Sequence, residues 1–276
     1  MPDYTRPSQG RPVMLQLRDI AGEAVMLLAG GRSILLQLAD PAIGHGVAHH
    51  SDFENRPLDR LAGTLSYAYA VTCGTPDQAR AAVRRVNRAH VPVVGAAAGG
   101  APAYNAFTPE LQLWVAATLY DSAVGMYERV FGAFDEGTAE SLYREYAVLG
   151  TALQVPEALW PRDRAAFATY WQERLDGLRT DDTTREVARR LLYPRSGPLL
   201  LRLAMPLARL VTVGLLPPSV RDLFDLSWSP RRQRRFDRML RLTIRVYPLL
   251  PRRVRHWPRD HYLGSPAPSA ARIRVR

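Results

Sequence analysis

Apolar residues recur at intervals of three and four along most of the chain, which is the spacing of one face of an α-helix. This spacing predicts helices over residues 14–28, 33–38, 56–74, 76–90, 109–132, 140–149, 162–178 and 183–192, followed by two or three more between 199 and 246. No stretch alternates apolar and polar residues as a half-buried strand does, and no internal repeat is present. The pattern therefore predicts an all-α, single-domain helical bundle.

The two ends of the chain differ in composition from this helical domain. Residues 1–11 are polar with proline and glycine, and we expect them to be disordered. The helical domain then covers residues 12–247, and residues 248–276 form an Arg- and Pro-rich tail that we expect to be unstructured or to lie over the surface. Within the domain, Gly30-Gly31 is expected to end the first helix, and the Gly- and Ala-rich segment 95–102 to be a flexible connection.

The predicted helix 76–90 places a histidine where a polar side chain is costly. Thr75 and Pro76 are typical of a helix start, and Pro92 ends the helix. Apolar residues at spacings of four, three and four lead to His90, whereas the opposite face carries four arginines. Apolar surroundings favour the neutral imidazole, which is the form that binds a metal or haem iron. The pattern alone favours a core histidine bonded to a backbone carbonyl, so a ligand role needs support from other observations.

Two further pairs of residues are candidates for binding chemistry. Arg60 and Thr64 lie one turn apart at the edge of the predicted core, where they could anchor a carboxylate or orient a bound oxygen species. An arginine whose stem lies along the surface and a threonine bonded to its own helix would give the same pattern. His45 and His49 are four residues apart, as a metal-binding pair on a helix would be. Because glycines flank His45 and a helix here would carry no acidic partner, we expect ordinary solvated or capping histidines there.

The basic composition points to two classes of partner. A net charge of +11 and a pI of about 10.3 are typical of proteins that bind nucleic acids or membrane surfaces. All 37 basic residues are arginines, which indicates GC-rich coding DNA, and much of the excess lies in the last fifth of the chain rather than in a binding motif. We therefore predict no nucleic-acid partner. Binding of residues 231–276 to nucleic acid or to an acidic membrane ranks third among our hypotheses.

Cysteine content and hydropathy predict a cytoplasmic protein with at most a peripheral membrane contact. Cys73 is the only cysteine, which excludes an internal disulfide and a cysteine zinc site and fits a reducing compartment. The first residues lack the basic-then-apolar order of a secretory signal. The most apolar run, 199–216, is interrupted by Arg202, Pro206 and Arg209. It predicts a buried, kinked helix pair, with an interfacial membrane helix as the alternative.

Three stretches, in their order and spacing, resemble the MpaB/latex-clearing-protein oxygenase family. They are LLQLADPAIGHGVAHHSDF (35–53), RPLDRLAGTLSYAYAVTCGTPDQARAAVRRVNRAHVPVVG (56–95) and YNAFTPELQLWVAATLYDSAVGMYERVFG (104–132). The resemblance implies a helical fold with a globin-like core and a haem b held by one histidine. His90 matches the family's proximal ligand in its R-V-x-x-x-H-x-x-V context, and Arg60 and Thr64 match an R-x-x-x-T pair near the haem. Members of the family that cleave polyisoprenes or a farnesyl-derived chain add O2 across a carbon–carbon double bond, and the resemblance implies chemistry of this kind.

The chain departs from the family pattern at three places. Ala116 follows Trp114-Val115 where many relatives have histidine, and Asp40 precedes Pro41 where many again have histidine. Rubber-cleaving relatives use a glutamate upstream of the Arg/Thr pair, whereas Gly44 and His45 lie at about that distance here. These departures argue against cleavage of polyisoprene.

The leading hypothesis is a haem b-dependent oxygenase that acts with O2 on a small apolar substrate, an isoprenoid or another secondary metabolite. His90 would bind the iron, and Arg60 and Thr64 would position oxygen or substrate. The alternative is a catalytically inactive pseudo-enzyme of the same family that keeps the helical pocket and binds an apolar ligand without turnover.

Overall fold

The computed structural model describes residues 15–51, 57–194 and 199–264, with the backbone alone for residues 57–60, 200 and 201. The described residues are mostly helical, which confirms the predicted all-α, single-domain class. Residues 1–11, which we expect to be disordered, lie outside the described ranges. The globin-like arrangement of the core stays a prediction.

Fifteen α-helices, three short 3-10 helices and one short hairpin form the regular structure of the described part of the chain. In chain order the elements are α1 (Leu17–Ile20), α2 (Gly30–Leu38), α3 (Pro41–His50), α4 (Pro57–Cys73), α5 (Pro76–His90), β1 (Val94–Gly95), β2 (Tyr104–Asn105), α6 (Pro109–Phe131), α7 (Glu136–Tyr146), α8 (Val148–Thr151), α9 (Arg164–Gly177), α10 (Asp182–Leu192), α11 (Leu199–Leu215), α12 (Pro218–Leu223), α13 (Pro230–Val246), α14 (Arg252–Arg255) and α15 (Trp257–Gly264). Several helices begin at a side chain that accepts a hydrogen bond from a first-turn amide. These N-caps are Asp40, Thr75, Asp135, Asp163, Asp181 and Ser229.

Helices α2 and α6 pack against each other at the centre of the molecule. Trp114 is fully buried between them, and its indole nitrogen donates a 3.1 Å hydrogen bond to the carbonyl of Leu36. Polar side chains along this contact satisfy one another, since Ser33 donates to Thr118 at 3.0 Å. Arg32 of α2 forms a 2.6 Å ion pair with Asp121 of α6. The helix contact thus combines apolar burial with paired polar groups.

Gly30 and Gly31 begin helix α2 instead of ending the helix before it, so that expectation was wrong. A Cβ on Gly31 would lie 2.0 Å from the hydroxyl oxygen of Thr212 on α11. The glycine therefore allows α2 and α11 to approach closely, and its role is packing between helices. The preceding segment is α1 followed by a 3-10 turn over Ala24–Ala29.

The segment 95–102, expected to be a flexible connection, forms part of a hairpin. Strands β1 and β2 pair antiparallel, and Gly99 and Gly100 in the connecting loop have positive φ angles of 59° and 85°. Glycine adopts these angles at little cost, which explains the composition of the loop. The hairpin joins α5 to α6.

The chain beyond Pro248 also differs from the sequence expectation, because residues 252–264 form α14 and α15 and pack onto the helical body. His256 is 1% exposed, and its Nε2 lies 2.9 Å from a carboxylate oxygen of Glu23. Arg255 pairs with the same carboxylate at 2.9 Å, and the Tyr247 hydroxyl donates to it at 2.9 Å. A buried glutamate with three such partners connects the two ends of the described chain.

Helix α11 continues through Pro206 as one helix, where we expected a kinked pair. Pro206 is exposed, so water can satisfy the carbonyl one turn earlier that loses its amide partner. Among the described residues, no helix combines the length and the apolar character that crossing a membrane requires. The C-terminal half of α11 packs into a second core cluster with Phe236 of α13.

Candidate functional site

Helices α4 and α5 form a tight antiparallel hairpin that brings the predicted site residues to one end. Only Gly74 and Thr75 join the two helices, which pack along their length. A Cβ at Gly74 would lie 2.6 Å from the Ala70 carbonyl oxygen, so the sharp connection requires glycine. Arg60 lies 14 residues before this connection and His90 lies 15 residues after it. In an antiparallel hairpin these two positions share the open end.

His90 is the last residue of α5 and is partly exposed, with its Nδ1 atom buried. The ring meets Phe107 edge to face, with 6.1 Å between the centroids. The expected apolar face of α5 is real, because Ala82 is buried and Val83 and Val86 pack against the main core. His90 therefore lies where this face leaves the core.

Exposed apolar side chains surround the open end of the hairpin. Val91 is 67% exposed and Val94 is 57% exposed, immediately after His90 in the chain. Leu61 is also exposed, on the first turns of α4. Apolar groups at the surface beside a histidine provide the kind of wall that a flat apolar ring system would cover.

Thr64 is exposed, although we expected it to border the core. Tyr67, one turn further along α4, is buried and donates a 2.8 Å hydrogen bond to the Leu149 carbonyl. Burial raises the pKa of the Tyr67 phenol. From Thr64 to Tyr67 the row thus runs from the surface into the core. The Arg60 side chain lies outside the described part of the structure.

The positions that depart from the family pattern have structural roles in this chain. Ala116 is buried, and a Cβ on Gly150 of α8 would lie 3.4 Å from the Ala116 Cβ, so a larger residue at 116 would meet packed backbone. Asp40 caps α3 and pairs with Arg174 of α9 at 2.7 Å. The Arg174 guanidinium lies over the Trp114 ring at 5.0 Å. Ala116 therefore contributes to core packing, and Asp40 contributes to a helix cap and an ion pair.

His45 is buried and pairs with an acidic residue from another part of the chain, which the sequence did not reveal. It is 6% exposed, and its Nε2 lies 2.6 Å from a carboxylate oxygen of Asp181, the N-cap of α10. Burial opposes ionisation of Asp181, but hydrogen bonds from the Thr184 amide and from His45 outweigh it and lower the pKa of this carboxyl group. We expected His45 to be solvated or capping, which was wrong because its acidic partner comes from another helix.

His49 and His50 are exposed, as expected, and both contact one tyrosine. The Tyr104 hydroxyl lies 3.0 Å from Nδ1 of His49 and 3.1 Å from Nε2 of His50. The Tyr104 ring covers Gly95, where a Cβ would lie 2.5 Å away. Across the described ranges, no group of three or more His, Cys, Asp or Glu residues is arranged to hold a metal ion.

An open surface cleft of about 630 Å³ lies beside the His45–Asp181 pair. Its walls are Pro41, the loop 97–102 and residues 179–181. Thr64 and His90 do not line this cleft. The structure thus places two histidines in different surroundings. His45 bonds to Asp181 beside this cleft, whereas His90 lies at the open end of a helical hairpin.

Over the described residues the protein is an all-α body in which a partly exposed histidine, His90, ends one helix of a hairpin whose open end carries exposed apolar side chains. The chain belongs to the family described as "ER-bound oxygenase mpaB/B'/Rubber oxygenase, catalytic domain", whose model matches residues 17–245. It is therefore an oxygenase-family domain, and O2 and an organic substrate are the partners that such a domain implies.

Two mycobacterial proteins show how far the similarity extends. The chain is 38% identical over 234 residues to the uncharacterized proteins Rv2237 of Mycobacterium tuberculosis and Mb2261 of Mycobacterium bovis. Each alignment covers 83% of this chain and 91% of the relative. No solved structure matches the chain.

Proposed function

We propose that the protein is a haem b-dependent oxygenase that acts with O2 on a small apolar substrate, an isoprenoid or another secondary metabolite. The observation that carries the proposal is the position of His90 within an oxygenase-family domain. The residue ends the apolar face of α5 and is partly exposed beside exposed valines. Haem b needs one axial imidazole and apolar surfaces for its ring, and these residues fit both requirements.

His90 is the residue that would hold the haem iron, through a neutral imidazole nitrogen. The buried Nδ1 and the edge-to-face contact with Phe107 restrict rotation of the ring. An imidazole oriented by its surroundings binds a metal better than a mobile one. Bound haem supplies the O2 chemistry, and the protein supplies orientation and an apolar environment.

Arg60 and Thr64 are proposed to position O2 or the substrate. Thr64 is exposed on α4, one turn after the Arg60 position, in the half of the hairpin that leads to its open end. A hydroxyl donor can orient an oxygen atom, and a guanidinium can hold a carboxylate. Leu61, Val91 and Val94 would exclude water from an apolar substrate beside them.

A non-catalytic ligand-binding protein is the second candidate, and the packing around Ala116 favours it. Many relatives have histidine where this chain has Ala116, and here the Gly150 backbone occupies the neighbouring space. A domain that lost one polar group of its site could keep its pocket and bind an apolar ligand without turnover.

Titration of the purified protein with haem, followed by O2 uptake, tests the proposal. We expect a Soret band that saturates at one haem per chain and shifts when dithionite is added. O2 consumption with a reductant and an isoprenoid alcohol would support the oxygenase, whereas haem binding without O2 consumption across a panel of isoprenoids would support the non-catalytic binder. Absence of a saturable Soret band would contradict the haem-dependent oxygenase.

A further inference from the structure

The largest concentration of charge in the chain lies on α13, the turn that follows it and α14. Residues 230–255 contain ten arginines and one aspartate, a surplus of nine positive charges in a chain whose net charge is +11. The arginines of α13 are exposed, namely Arg231, Arg232, Arg234, Arg235, Arg238, Arg241 and Arg245. Among the described residues none of these seven forms an ion pair. Their charge is therefore directed to solvent.

Exposed leucines lie among these charges. Leu242 is 62% exposed, and helical spacing places Arg238, Arg241 and Arg245 around it. Leu249, in the turn after α13, is 80% exposed. The core face of the same helix is separate, since Phe236 is buried in the second core cluster. The solvent face of α13 is thus both cationic and apolar.

Helix α11 adds a second exposed apolar stripe. Leu199, Leu203 and Leu207 follow one another at intervals of four residues and are 68%, 69% and 54% exposed. The end of α11 contacts the first half of α13. A Cβ on Gly214 of α11 would lie 2.5 Å from the Phe236 ring of α13. The exposed leucines occupy the parts of both helices that lead away from this contact.

The seven exposed arginines of α13, Leu242 and Leu249, and the exposed leucines of α11 are called the α11–α13 surface below. We propose that the α11–α13 surface binds the surface of an anionic lipid bilayer. Amphipathic helices that lie in a membrane interface combine exposed leucines, which enter the acyl boundary, with arginines that bind anionic headgroups. A nucleic acid would use the arginines and leave the leucines in water. A second copy of this chain would bring another set of seven unpaired arginines to the contact, which like charges oppose. The lipid surface matches both features at once.

Sedimentation of the full-length protein with lipid vesicles tests the proposal, and haem is not needed. We expect binding to vesicles of phosphatidylcholine with phosphatidylglycerol, weak binding to phosphatidylcholine alone, and loss of binding as the salt concentration rises. The variant R238Q/R241Q/R245Q should partition at least about 10-fold less strongly, because each basic residue near an anionic surface contributes to binding. The variant L203Q/L207Q should also bind less, since it removes the apolar contribution.

The matched control is R80Q/R84Q/R88Q, which removes three exposed arginines from α5 and leaves the α11–α13 surface intact. We expect this variant to retain most of the binding. Equal losses in the two arginine variants, or equal binding to neutral vesicles, would overturn the proposal. Binding to DNA in place of vesicles, or a dimer that dissociates in L203Q/L207Q without a change in vesicle binding, would also overturn it. Because haem is absent from the assay, failure here leaves the oxygenase proposal unaffected.

Discussion

His45 and His90 both lie on helices, and the structure holds them in different ways. His45 lies in the middle of α3, buried, with its Nε2 2.6 Å from the Asp181 carboxylate. His90 ends α5, with its ring partly exposed and exposed valines beside it. A buried histidine bonded to an acid from a neighbouring helix stabilises the fold. A partly exposed histidine at the open end of a hairpin is instead the residue for which we propose a ligand.

The comparison predicts that replacing each histidine affects a different property of the protein. Replacing His45 should reduce the free energy of unfolding, because α3 and α10 lose a buried contact. Replacing His90 should reduce haem affinity with a smaller change in stability. Each variant therefore serves as a control for the other.

The largest effect on stability is expected for His45→Ala. We expect the free energy of unfolding to fall by about 2–3 kcal/mol, from lost packing and the lost bond to Asp181. Urea unfolding of the haem-free protein measures this loss. His90→Ala should cost less than about 1 kcal/mol in the same experiment, since its ring is already partly exposed. Equal losses in the two variants would remove the distinction between the two histidines.

Restoring the family's histidine with Ala116→His should also destabilise the protein. The new side chain would meet the Gly150 backbone and the packed core, and overpacking of this kind costs about 1–3 kcal/mol. The control is Ala165→His on the exposed face of α9, where we expect a change within about 0.5 kcal/mol. A stable Ala116→His variant with increased haem affinity would show that the position still faces a usable site.

The smallest effect is the pH dependence from Asp181. Its pKa is lowered in the folded protein, so its contribution to stability is present above the unfolded-chain pKa and is lost as the pH falls through the folded value. Asp181→Asn keeps the N-cap and removes the charge, and because the side chain is 43% exposed the difference should be about 1 kcal/mol or less. The difference in unfolding free energy between the two proteins should be constant above about pH 5 and shrink below about pH 4. A difference that does not change down to pH 2 would exclude this contribution.

The helical class and most long helices could be predicted because their signals are local. Spacings of three and four, with Thr75-Pro76 and Thr108-Pro109 at helix starts, determine where α5 and α6 begin. Local patterns gave a wrong prediction at Gly31, which begins a helix instead of ending one. A glycine is needed there because Thr212, on a helix far along the chain, packs against it. A sequence window that contains Gly31 carries no information about that contact.

The candidate site shows the same limit. Helices α4 and α5, which carry Arg60 and His90, are adjacent in the chain, so local sequence signals could indicate both helices and the short connection between them. His45 and Asp181 are 136 residues apart, and Glu23 and His256 are 233 residues apart. No spacing rule connects such positions. The one available signal was that Asp181 precedes a helix start, which identifies a cap and says nothing about its second partner.

The central claim is that His90 is the residue that binds haem iron, and haem titration of three variants tests it most directly. Wild-type protein and His261→Ala, which removes an exposed histidine from α15, should bind one haem with the same Soret maximum. His45→Ala should do so as well, under conditions where it remains folded. His90→Ala should lose the band, or retain only a weak and broad one from unspecific binding. A His90→Ala protein that binds haem with the wild-type affinity and spectrum would contradict the account.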